Sequence, residues 1–127
     1  MKNLVNFKVA LKTREYLVQA IYQMFFNNQN PIEIIEQFKK EHELQKVDFE
    51  NFSESLISIN KYKEEFKKIL IYLEIQDKDI NLLDKSIIYF AINELKFGNL
   101  DPLVVIDESL RLSKKFSNPD SYKFINA

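Results

Sequence analysis

The stretch N-L-L-D-K-S-I-I-Y-F-A-I-N-E-L-K-F-G (Asn81–Gly98) decides the class of the fold. Its apolar residues return at three- and four-residue steps, the period of a helix with one buried face. Asp79 or Asn81 can start it, because a short side-chain oxygen accepts from the unpaired amides of a first turn. Gly98 is expected to stop it as a left-handed C-cap.

Working outward, the same punctuation recurs. Asp101 caps the next helix with Pro102 at its first position, where a missing N–H costs nothing, and Glu108 and Arg111 are expected on that helix's polar side. Asn118 and Pro119 repeat the device and open a last helix that reaches Ala127. Upstream, Lys61–Glu74 places Phe66, Ile69, Leu70 and Leu73 on one face. Strand is the alternative for its β-branched end (Ile69–Ile75), but the lead-in K-E-E-F-K-K favours helix. Asp48 can cap a preceding helix through Phe49, Phe52, Leu56 and Ile59. Asn30 and Pro31 open another through about Glu43, with Ile34, Ile35 and Phe38 buried. Segment 7–27 supplies the first, with Phe7, Leu11, Leu17, Val18, Ile21, Met24 and Phe25 near helical spacing. Short loops between amphipathic helices imply a compact all-α bundle.

Composition narrows the function. The 127 residues include one Gly, one His and no Cys. Phosphate-cradling loops need several glycines, and thiolate or multi-histidine metal sites need residues that are absent. No enzyme, cofactor or metal site is expected. The 11 Phe read as core. No apolar run approaches the ~20 residues that span a bilayer, and the lack of Cys fits a reducing cytoplasm. The net charge is −1, yet the first twenty residues carry Lys2, Lys8, Lys12 and Arg14 against Glu15 alone. Such a cationic start fits a local anion contact, or simply a solvated helix end.

Four segments, in order, carry a resemblance: T-R-E-Y-L-V-Q-A-I-Y-Q (Thr13–Gln23), L-L-D-K-S-I-I-Y-F-A-I-N-E-L (Leu82–Leu95), D-P-L-V-V-I-D-E-S-L-R-L-S-K-K-F (Asp101–Phe116) and D-S-Y-K-F-I-N (Asp120–Asn126). Together they resemble the NusB family of transcription antitermination factors. The resemblance implies one domain over 1–127, an all-α fold of about seven helices in two small subdomains, roughly 1–75 and 76–127. It also implies a cytoplasmic protein that binds single-stranded boxA-type RNA together with the ribosomal protein NusE. That assembly helps RNA polymerase resist termination, notably on ribosomal RNA operons. The alternative is a scaffold of the same fold, or a homodimer, with weak or no RNA binding.

Candidate site residues follow from the matched positions and, for Lys8, from the cationic start of the chain. Lys8, Lys12 and Arg14, at the start of the first helix, are expected on phosphate; the plain alternative for Lys12 and Arg14 is pairing with nearby acids. The family is richer in Arg just before this Arg-Glu, where Ala10 and Leu11 stand here. Tyr22 is a base platform or part of the NusE surface, and Tyr16 a weaker platform, against core packing for either. Asp84 is expected on the partner and Lys85 on RNA, although a helix dipole alone favours an acid at Asp84. Tyr89 stands where the family often has a basic residue. In the last segment Asp120 and Lys123 are expected near RNA, while Ser121 reads as a cap.

Overall fold

The computed structural model describes residues 2–117, with side chains from Leu4 onward. Its helices are α1 (Lys2–Asn27), α2 (Pro31–Glu41), α3 (Phe49–Tyr72), α4 (Leu82–Phe97) and α5 (Pro102–Ser117), with one 3-10 turn at Asp77–Asp79. The expected seven helices become five long ones among the described residues. One reason is α3, which runs unbroken through Asn60 and Lys61. No Pro or Gly interrupts it, and Phe52, Leu56, Ile59, Phe66 and Leu70 stay buried at helical spacing along its length. The last expected helix, with its Asn118–Pro119 start, lies outside the described residues.

The local cap signals hold. Asn30 accepts from the Ile32 amide with Pro31 opening α2. Asp48 accepts from Asn51, Asn81 from Asp84, and Asp101 from Leu103 at 2.8 Å. Gly98 departs from expectation. Its backbone is extended (φ −88, ψ 177) rather than left-handed. Glycine is needed there for closeness, since a Cβ would lie 2.8 Å from the Glu94 carbonyl oxygen and against that residue's carboxylate. The left-handed residues are Asn28 (φ 50) and Glu74 (φ 62). After α3, the Ile75 amide donates to the Leu70 carbonyl and the Glu74 amide to that of Ile71. This doubly bonded helix stop is usually built on Gly; here it is built on Glu.

Helix α1 packs against α2, α3 and α4, α3 against α2 and α4, and α5 against α4. Their buried faces share one core, with Val18, Ile21, Phe52, Leu56, Ile59, Phe66 and Phe90 fully enclosed. Phe7, expected with these, is exposed instead, because the first turns of α1 extend past the bundle. No described helix is long and apolar enough to cross a membrane.

Candidate nucleic-acid interface

Lys8 and Lys12 are one turn apart on α1 and therefore share a face. Lys8 is exposed, and the side chain of Lys12 is 46% exposed and lies 3.8 Å from Glu15. Beside them the loop after α2 brings in a third lysine. The Asp48 amide donates to the Thr13 hydroxyl at 2.9 Å, which itself donates to the Val9 carbonyl. Val47 is buried, and His42 stacks on Tyr16 with ring centroids 4.1 Å apart. Pinned in this way, the loop places Lys46 with Lys8 and Lys12 around a hollow of about 260 Å³ floored by Val5 and Val9. The lysines line the hollow chiefly with their stems, Lys12 beside Glu15 and Lys46 3.6 Å from Glu43, and their grouped positive charge makes this face the candidate contact for a polyanion backbone. Lys46 is not marked by local sequence, because contacts distant in the chain, such as the Thr13–Asp48 bond, bring it to α1.

Arg14 is placed differently. Its side chain is 16% exposed and lies 3.4 Å from Glu108, matching the acid-pairing alternative, though the acid belongs to another helix. The same carboxylate accepts from Arg111 Nε and Nη2, the latter at 2.8 Å. Arg111 Nη1 donates to Glu15 at 2.8 Å, and Lys115 lies 3.5 Å from Glu15. The expected polar-side position of Glu108 is thus corrected: it is buried, as is Glu15. Burial opposes the charge of Arg111, but the hydrogen bonds it donates to Glu108 and Glu15, with the charge of both acids, outweigh burial and raise its pKa. Glu94, buried beside this cluster, is pushed up by desolvation, with Arg14 acting the other way. In this conformation Arg14 ties α1 to α5.

At the other end of α1, Tyr22 is half-buried and stacks on the exposed Phe26, centroids 5.8 Å apart. Tyr16 is likewise half-buried, packing edge-on to Phe38. Asp84 is partly buried in the first turn of α4. Lys85 is 22% exposed, pairs with Asp77 at 3.4 Å and lies 5.7 Å from the ring centroids of Phe25 and Tyr89. Tyr89 is core: it packs edge-on to Phe25 and Phe66. Burial, with Asp77 and Glu64 adding to it, pushes its hydroxyl up to about 12. The cationic group and the Tyr22–Lys85 group therefore occupy different ends of α1. Asp120 and Lys123 lie outside the described residues.

Residues 11–127 match the model of the NusB family. Among curated relatives, "Transcription antitermination protein NusB" of Psychromonas ingrahamii is 33% identical over 118 residues, covering 91% of this chain and 81% of its own length. The protein of the same name from Aeromonas salmonicida is 33% identical over 117 residues, covering 91% and 85%. That from Coxiella burnetii is 31% identical over 122 residues, covering 94% and 88%.

Proposed function

Because the chain belongs to the NusB family of transcription antitermination factors, we propose that it binds single-stranded boxA-type RNA jointly with ribosomal protein NusE. In this reading it supports transcription of ribosomal RNA as part of an RNA polymerase antitermination complex. The observation that carries the RNA contact is the grouping of Lys8, Lys12 and Lys46 around one hollow beside the family's first signature segment. Such a group neutralises a few phosphates without a basic protein as a whole, which agrees with a net charge of −1. NusE adds surface, so each component gains affinity from the other. Tyr22 and Asp84 are its proposed contacts; Tyr22, Arg14, Lys85, Asp120 and Lys123 complete the proposed RNA set.

Anisotropy of labelled boxA RNA, with and without NusE, tests this. Affinity should fall linearly with salt on a double-logarithmic scale, with a slope near −0.7 per phosphate neutralised. Lys8→Glu with Lys12→Glu should weaken RNA binding by at least ~10-fold and leave NusE binding in place. Absence of RNA binding in both conditions at low salt overturns the reading. Arg14 is unsuited to charge reversal, since Arg14→Glu would put a fourth carboxylate near Glu15, Glu94 and Glu108.

The engagement of Arg14 by Glu108 favours a second reading, in which the protein is chiefly an interaction scaffold, or a homodimer, with weak RNA affinity. Sedimentation of the chain alone, for self-association, and with labelled boxA RNA, for RNA affinity, separates the two.

A further inference from the structure

A cavity of about 280 Å³ opens between the end of α1, the middle of α3 and the start of α4. Its lysines come from two helices: Lys63 and Lys67, one turn apart on α3, and Lys85 on α4. Phe25 and Leu82, both partly exposed, provide apolar wall. Three side-chain amides complete it, among them Gln29, whose Oε1 accepts from Gln23 Nε2 at 2.9 Å. Asn28 is set by the left-handed turn that ends α1, and Asn60 Oδ1 accepts from Lys63 Nζ at 3.4 Å. Glu64 is the acid on the lining. Asp77, paired with Lys85, is more than half exposed, so an incoming anion can replace it as counterion.

We propose that this cavity holds one unpaired nucleotide of the bound RNA, its phosphate on Lys63, Lys67 and Lys85 and its base against Phe25 and Leu82. The inference rests on the RNA-binding reading above and adds to it a contact at the opposite end of α1 from Lys8 and Lys12. Three properties of the pocket match three parts of a nucleotide. Ammonium groups take the phosphate, an apolar wall takes the base face, and amides with Glu64 read the base edge, the usual way an unstacked base is held. The volume is just under the ~300–1,000 Å³ of pockets for drug-sized ligands, room for one planar group. An acidic side chain of a protein partner would use the lysines and leave the wall and amides unmatched.

The test is anisotropy of a labelled boxA-type oligoribonucleotide, titrated with NusE present, on the native chain and on the Lys63→Ala/Lys67→Ala variant. The variant should bind about 10-fold more weakly, with a salt slope shallower by about 1 to 1.5. An abasic replacement walked along the RNA should find one position that costs the native chain about 10-fold and the variant clearly less, the non-additivity of a shared site. A thermal melt checks that the variant folds, as Lys67 is exposed and the Lys63 side chain bonds to Asn60, itself on the cavity lining. Unchanged RNA affinity and slope overturn the proposal. Unchanged RNA affinity with lost NusE binding also overturns it, making the cavity a protein groove. A native chain that binds no RNA fails the functional reading itself, and the pocket with it.

Discussion

Helix α1 is held to the bundle by two seams of opposite character. Against α3 it presents Val18 and Ile21, which share a core with Phe52, Leu56 and Ile59. Toward α5 it presents Arg14 and Glu15, which meet Glu108 and Arg111. The apolar seam gains from area removed from water and tolerates small shifts of its parts. In the ionic seam, desolvation of each carboxylate is offset only while its donors stay in place. Helix α5 also contributes Leu112 and Phe116 to the core, so the ions select where α5 sits over a position that burial alone would leave looser.

Four substitutions test this contrast. The largest loss is expected at the apolar seam, where Phe52→Ala should lower stability by about 3–5 kcal/mol through lost burial and a residual cavity. Urea denaturation reads it as a lower midpoint at unchanged slope. Arg111→Ala should cost nearly as much, about 3 kcal/mol, because Glu15 and Glu108 lose their bidentate partner while buried. It should also couple strongly to Glu108→Ala in a double-mutant cycle, whereas Phe52→Ala should add independently. A cost below about 1 kcal/mol for Arg111→Ala would mean that Lys12, Lys115 and Arg14 suffice, and the seams would be less unlike than drawn.

The smallest effect belongs to Glu94, at the margin of the ionic seam. Burial raises its pKa above the ordinary value of 4.5, so the folded chain holds this proton more tightly than the unfolded one. Stability should therefore drop as pH climbs from about 4.5 through the raised value, and the penalty should be fully relieved only below about 4.5. Glu94→Gln should remove the drop, gaining on the native chain at neutral pH and matching it in acid. Melts across pH 4 to 8 check the sign.

The apolar seam was legible in sequence and the ionic one was not, for a physical reason. Periodicity, and caps such as Asn30–Pro31, Asp48 and Asp101–Pro102, act within one or two turns, so their residues are neighbours in the chain. Glu15 and Arg111 lie on different helices, 96 positions apart, and no local pattern marks Glu108 as buried rather than solvated. The misreading of Gly98 has a similar origin. Its need is for room beside Glu94, which a count of residue types does not separate from a need for positive φ. The division of α3 into two helices came from treating Lys61 as a fresh start when nothing there breaks the backbone. For the candidate interface, Lys8 is marked in the sequence by the cationic start of the chain, and Lys12 and Lys85 by the resemblance to a family. Lys46, Lys63 and Lys67 required the tertiary fold, because the hollows they line join segments far apart in the chain.

One consequence of the unbroken α1 concerns length. Lys12 and Phe25 ride on the same helix, about 20 Å apart at 1.5 Å per residue, and a helix packed on three neighbours does not shorten. If both proposed RNA contacts hold, the two regions work as the marks of a ruler. A strand too short to touch both should bind as though only one existed, and adding the nucleotide that closes the span should raise affinity in a single step.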